Sequence, residues 1–170
     1  PKLGYVKCKF HRFVEGTIKS VTVKRTRTGK YFVSILVDRE DKIIERECDT
    51  DYENSVLGID MSIPDFAVYS DNTKPKIIHY LRNSGKKLAR AQKDLSRKQK
   101  DSRNWEKQRL KVARIHEKIA NQRKNFIEAE SARIAKEFEA VVVEDIDLKA
   151  MSQCMHFGKS ISDNGFGYFR

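Results

Sequence analysis

Long apolar runs are missing from this chain. No stretch approaches the roughly 20 residues that a membrane helix needs, so a helical membrane span is excluded. No secretory signal opens it either. The chain begins at Pro1 and runs straight into strand-like sequence, so the natural start is expected to lie upstream. Cysteine is scarce and odd in number (Cys8, Cys48 and Cys154), with no CxxC pair. That excludes a disulfide-stapled secreted domain and leaves no zinc signature. Incidental thiols in a reducing cytoplasm are the expectation.

What the chain has in excess is positive charge, and its location matters more than its size. The formal net charge is +11 over 170 residues, with 35% of residues charged and 39% hydrophobic. Between Leu81 and Asn125 stand sixteen Lys/Arg against only four acids (Asp94, Asp101, Glu106 and Glu117), a local excess of +12. The rest of the chain therefore nets about −1. Charge gathered on one segment is the footprint of a polyanion binder, because each neutralised phosphate releases condensed counterions. A solvated helix face that only keeps the protein soluble is the competing reading.

Residues 1 to about 50 read as β. Val6, Cys8 and Phe10 alternate with Lys7, Lys9 and His11, and Ile18, Val21 and Val23 continue the pattern imperfectly. Tyr31, Val33, Ile35 and Val37 then give clean period-two alternation. Thr26-Arg-Thr-Gly-Lys30 is a hairpin connection with glycine available for a positive φ. Basic strands joined this way suggest part of a small, oligonucleotide-binding-like barrel. A plain structural hairpin is equally compatible.

The polar stretch Asp49–Asn54 is a plausible junction, dividing the chain at 1–53 and 54–170. Beyond it, Ser55–Asp60, Phe66–Tyr69 and Lys76–Leu81 read as three strands of an antiparallel meander. Periodicity then switches. Leu81, Leu88 and Leu95 recur every seven residues with Ala91 between them, and Trp105, Val112, Ile119 and Phe126 do the same with Ile115. Two such seams across a short polar break predict an antiparallel helical hairpin over 81–138, with Asn104 as N-cap of the second helix. That helix, about 34 residues long, would reach roughly 50 Å. The seam aromatics are expected to pack rather than to stack on bases. Ala140–Glu144 is a fourth strand, β-branched and uninterruptedly apolar, as a covered central strand would be.

The order β-β-β-α-β makes the first and fourth strands neighbours. Asp60 and Glu144 would then face one another across the sheet. Carboxylates so close repel unless a divalent cation neutralises them. Mg²⁺ takes oxygen ligands, keeps waters and engages substrate phosphates. Two such ions roughly 3.5–4 Å apart serve phosphodiester hydrolysis. Either acid alone is more commonly a turn or cap residue. The pair beside a basic helical segment makes the two readings comparable.

At this point the residues resemble a known family. Leu57-Gly-Ile-Asp60 with Phe66–Ser70 is similar to the first RuvC motif of the TnpB (OrfB) proteins of small insertion sequences. Leu88–Lys100 and Glu106–Arg123 resemble that family's basic helices, and Val142–Ile146 its second RuvC motif. Lys159–Phe169 resembles the segment that follows it, and Ile18–Val23 with Gly29–Val37 the end of the family's wedge barrel.

The resemblance implies an α/β fold: an RNase H-like (RuvC) core with a long inserted antiparallel helical hairpin, preceded by part of a wedge-type β-barrel. It implies an RNA-guided DNA endonuclease using Mg²⁺ or Mn²⁺, with guide RNA and target DNA as partners and no membrane. Asp60 and Glu144 carry over as catalytic and metal-binding residues. Lys86, Lys87, Arg90, Lys93, Arg97, Lys98, Lys100, Arg103, Lys107, Arg114 and Arg123 carry over, less specifically, as nucleic-acid contacts.

Three departures stand out. The family's third Asp lies beyond a CxxC…CxxC zinc ribbon, and this chain ends at Arg170 before either. Asp145 and Asp147 lie too close to Glu144 to replace it, and Asp163 belongs to another motif. Ser62 stands where Gly is usual, and Glu128-Ala-Glu130 where His-Lys-Leu is common. The chain is therefore expected to bind nucleic acid and to cut weakly or not at all by itself, needing the remaining parts of the protein. The alternative is a guide-RNA-dependent DNA-binding regulator without nuclease activity.

Overall fold

The computed structural model describes residues 7–10, 13–39, 56–63, 65–76, 78–154 and 157–170. It divides into two compact units, Pro1–Arg46 and Glu47–Arg170. The expected acidic junction at Asp49–Asn54 lies outside the described residues.

The first unit holds a two-stranded antiparallel hairpin, β1 (Thr17–Arg25) and β2 (Tyr31–Asp38), registered from Thr17↔Asp38 to Arg25↔Tyr31. The turn closes where expected. Thr26 N–H donates to Lys30 O at 2.8 Å and Gly29 N–H to Thr26 O at 3.0 Å, with Gly29 at φ +87°. At the far end Gly16 sits at φ +101°, and a Cβ there would lie 2.3 Å from Asp38 O, so only glycine fits. The earlier strand expected through Cys8 and Phe10 does not form: Lys7–Phe10 have no regular structure, while Val6 and His11 lie outside the described residues. Among the described residues this unit has two strands, and Val21, Val23, Phe32 and Leu36 remain more than half exposed.

The second unit is built on a three-stranded sheet in the order β4–β3–β5: β3 Val56–Ser62, β4 Phe66–Tyr69 and β5 Ala140–Val143. β3 and β4 pair antiparallel, whereas β3 and β5 pair parallel. The parallel pair requires a crossover, and the helical hairpin supplies it. Its arms are α1 (Tyr80–Ser96) and α2 (Arg103–Glu137), the latter about 52 Å long at 1.5 Å per residue. Three short helices follow: α3 (Leu148–Cys154), α4 (Gly158–Asn164) and α5 (Phe166–Phe169).

Three local expectations are corrected here. Lys76–Leu81 forms no strand among its described residues; α1 already begins at Tyr80 and Ile78 is 57% exposed. The reason lies far along the chain. Buried Asp163 on α4 accepts from Leu81 N–H at 2.9 Å and Arg82 N–H at 3.2 Å, satisfying donors that a helix start leaves orphaned. Next, the N-cap of α2 is Ser102, not Asn104. Its side chain accepts from Trp105 N–H at 3.1 Å, and Asp101 at φ +65° turns the chain into it. Finally, β5 is an edge strand among the described residues, with Val142 62% exposed, rather than a doubly covered one.

The hairpin seam follows the heptads only part of the way. Leu88, Ala91 and Ile119 are buried, and buried Gln108 donates its amide to Ala91 O at 3.0 Å. Antiparallel pairing centred there brings the start of α1 level with about Ile119. Beyond that point α1 no longer runs beside α2, which turns its apolar residues to the sheet and to the C-terminal helices. The buried series therefore moves from 126 to Ile127 and Ile134, a drift that a straight helix shows against a strict heptad. These two isoleucines pack with Leu57, Ile59, Met61, Phe66, Ala67, Tyr69 and Phe166 in the core.

Phe66 is the centre of that core. Its ring meets Phe126 edge-on at 5.1 Å, Phe169 at 5.0 Å and Phe166 at 5.7 Å. Its backbone sits at φ +79°, with Ala67 N–H donating to Asp65 O at 3.1 Å, a tight turn disfavoured for a bulky residue. Such strain costs about 1–3 kcal/mol and persists where packing over-determines it. Three aromatic neighbours supply that packing.

Candidate active site and nucleic-acid surface

Burial along β3 alternates, with Leu57, Ile59 and Met61 at 0%, 4% and 7% exposure. Asp60 therefore points to the opposite, open face of the sheet. On β5, Val143 packs against the core while Val142 and Glu144 are exposed. The parallel register runs Val56↔Ala140, Leu57↔Val141, Gly58↔Val142 and Ile59↔Val143. One further step aligns Asp60 with Glu144. Asp60, and Glu144 directly after the last residue of β5, are both exposed at that end of the β3–β5 pair. The strand neighbourhood expected from element order is thus present.

The floor around the pair is open and held. Gly58, two positions before Asp60, brings no side chain to that face. Gly58 N–H donates to Ser70 Oγ at 3.0 Å, and Ser70 N–H returns a bond to Gly58 O at 2.9 Å. This double link ties β3 to the end of β4 beside the pair.

The chemistry of two adjacent exposed carboxylates suits a hard divalent cation that keeps water and phosphate oxygens as its other ligands. Among the described residues no group of three or more His, Cys, Asp or Glu comes together, so the pair is at most part of a shell. The downstream acids are engaged elsewhere. Asp145 pairs with Arg170, and Asp147 Oδ1 accepts from Lys149 N–H and Ala150 N–H, both at 2.9 Å, at the start of α3. Asp163 caps α1 and lies 3.5 Å from Arg123 Nη2. No local pattern announces these jobs; Asp147 alone, just before a helix, offered a cap signal.

Along the hairpin, Lys86, Lys87, Arg90, Lys93, Arg97, Lys98, Lys100, Arg103, Lys107 and Arg114 are all exposed. Arg123 differs. It is half-buried, and its guanidinium is committed to Asp163. Trp105 is half-buried, as a seam residue would be.

The acidic substitutions at 128–130 are absorbed by packing. Glu130 accepts from Tyr69 Oη at 3.0 Å and pairs with Arg133 at 2.7 Å. Arg133 also pairs with Glu137 and lies over the Tyr69 ring at 5.6 Å. Burial, and secondly the Glu130 charge, push the Tyr69 phenol well above its ordinary range. Glu128 holds Lys124 at 3.4 Å and Tyr168 Oη at 3.3 Å. These groups clamp α2 to β4 and to the C-terminal helices. No helix among the described residues is long and apolar enough to cross a membrane.

Residues 34–155 match the family model OrfB_IS605, described as "Probable transposase". The chain is 34% identical over 153 residues to "Putative RNA-guided DNA endonuclease InsQ" of Escherichia coli (strain K12), covering 90% of this chain and 37% of that protein. It is 36% identical over 144 residues to "Putative RNA-guided DNA endonuclease" of Streptomyces pristinaespiralis, covering 85% and 34% respectively. The chain thus spans about a third of the length of the curated relatives it matches.

Proposed function

Because the chain belongs to the OrfB_IS605 (TnpB) family, we propose that it contributes two metal-binding carboxylates and a basic nucleic-acid surface to an RNA-guided DNA endonuclease. The observation that supports this reading is the parallel β3–β5 register, which runs to Ile59↔Val143, the residues directly before Asp60 and Glu144. On this reading the sheet is the edge of an RNase H-like core, and the β1–β2 hairpin belongs to a wedge-type barrel. Guide RNA and target DNA are the partners, and residues 1–53 and 54–170 are the corresponding domains.

Asp60 and Glu144 would hold Mg²⁺ or Mn²⁺, which supplies Lewis-acid charge to the scissile phosphate and an activated water. The side chains' own task is to present four oxygens at fixed spacing. A hydrogen-bonded strand holds Asp60, and Glu144 directly follows one, which positions them better than a long loop would. The exposed cations from Lys86 to Arg114 hold the phosphate backbone without reading sequence, which base pairing with the guide supplies.

The test is metal binding followed by cleavage. Mn²⁺ titration of the chain should show a site weakened at least about tenfold by Asp60→Asn or by Glu144→Gln, since losing even an orienting partner costs that much. Equal Mn²⁺ affinity in both variants would remove the site. Cleavage of single-stranded DNA belongs to the whole protein, and weak or no cutting is expected of these 170 residues alone. The alternative reading is a guide-RNA-dependent DNA-binding regulator without nuclease activity. Whole protein that binds guide and target but shows no metal-dependent cutting would establish that one.

A further inference from the structure

Away from the carboxylate pair, a groove of about 670 Å³ opens where α2 meets the helices that follow β5. Its walls are short and aliphatic: Ala120 from α2, Leu148 from α3 and Ile161 from α4. Glycines let its walls pack closely, since a Cβ at Gly158 would lie 2.8 Å from Ser152 Oγ and one at Gly165 2.7 Å from Arg123 Cδ. The hydroxyls of Ser152 and Ser162 line its sides, and Lys124 and Lys149 stand on its lining with charged ends. Glu128 engages Lys124, and Asp163 engages Arg123. Among the described residues no ion pair holds Lys149, so its ammonium is available to an incoming anion.

A flat, weakly polar body with hydrogen-bonding edges and an attached anion matches these walls, hydroxyls and cation together. A nucleotide has that composition. The volume lies within the range of small-molecule sites, roughly 300–1,000 Å³. The groove also lies on the helix whose upstream part carries the exposed cations Lys107 and Arg114, so a strand held there reaches it without leaving α2. We propose that this groove receives a single unstacked nucleotide, base against Ala120, Leu148 and Ile161 and phosphate toward Lys149. The proposal rests on reading the basic hairpin as a nucleic-acid surface, and it adds a base-sized site to what was otherwise a backbone contact.

The probe is adenosine 5′-monophosphate, with inorganic phosphate and adenosine as separate arms, followed by amide chemical shifts of the 170-residue chain. Shifts are expected at Lys149, Ser152 and Ser162, with phosphate alone and adenosine alone each at least about tenfold weaker than the nucleotide. Ala120→Trp, a change at an exposed helical position, fills the groove and should abolish the shifts while leaving β3 and β4 amides in place. Lys149→Ala should weaken the nucleotide several-fold without changing adenosine, and it keeps the test decisive if the tryptophan variant unfolds. Phosphate binding as well as the nucleotide would reduce the groove to an anion site and end the proposal. So would shifts confined to Lys86–Lys118, or nucleotide shifts that survive both substitutions. Anisotropy of a labelled single-stranded oligonucleotide reports separately on the hairpin. Its binding with a silent groove overturns only the groove, and no binding at all overturns both.

Discussion

Tyr69 is 2% exposed and spends its hydroxyl on Glu130, which Arg133 then neutralises. The phenol stays protonated in the folded chain at a pH where a free tyrosine ionises. Its contribution to stability is thus fully present below about pH 10 and declines as pH rises past it, because only the unfolded state then releases the proton. Tyr69→Phe should cost about 1 kcal/mol at neutral pH, the worth of one hydrogen bond, and should flatten the alkaline decline. Urea unfolding at pH 7 and at pH 10.5–11 checks both. An unchanged alkaline slope would show that Tyr69 does not carry the alkaline decline. Asp163 works at the same scale with a longer reach, since one buried carboxylate satisfies two helix-start amides and a guanidinium.

Helix α2 begins at a real cap and ends where its partner changes. Ser102 accepts from Trp105 N–H, whereas Asn104 is an exposed residue inside the first turn. Ser102→Ala should therefore destabilise the unit by about 1 kcal/mol. Asn104→Ala should be neutral or slightly stabilising, because alanine is the better helix former. Thermal melts of the two variants separate these outcomes, and equal losses would mean the helix starts elsewhere in solution. Ser and Asn are both preferred caps, so residue type does not choose between them. The choice was made by Asp101, whose left-handed φ of +65° starts the turn one residue earlier.

At the scale of the whole molecule the charge is lopsided, with the excess of Lys and Arg on the helical hairpin and the rest of the chain nearly neutral. Affinity for single strands should fall linearly in log–log form with salt. Replacing Lys86, Lys87, Arg90 and Lys93 by alanine should reduce the slope by about 0.7 for each phosphate contact removed. Fluorescence anisotropy between 50 and 200 mM salt measures this. An unchanged slope would move the contact surface off α1. Arg123 should contribute little to the slope, because its charge is already held by Asp163.

Charge, heptads and the two carboxylates were legible because each depends on local spacing. Sixteen cations in one segment, leucines every seven residues and acids closing apolar runs are properties of neighbours in the chain, and the hairpin and β5 formed where those patterns lay. Element order even placed β3 beside β5, since a parallel return after a helical crossover has few options. Two of the features that sequence alone did not resolve were decided by residues distant in sequence. Lys76–Leu81 carries a strand-like pattern, yet Asp163, about eighty positions away, supplies the cap that makes helix cheaper there. Glu128 and Glu130 stand in sequence only as an acidic departure, and the fold brings Tyr69 and Tyr168 to them beside Lys124 and Arg133. Sequence alone thus determined the β1–β2 hairpin, the helical hairpin and β5, and where the charge and the acids sit. Only the tertiary structure decided which polar groups hold the fold together and which remain exposed, because a buried donor or acceptor is satisfied by whatever lies nearest in space.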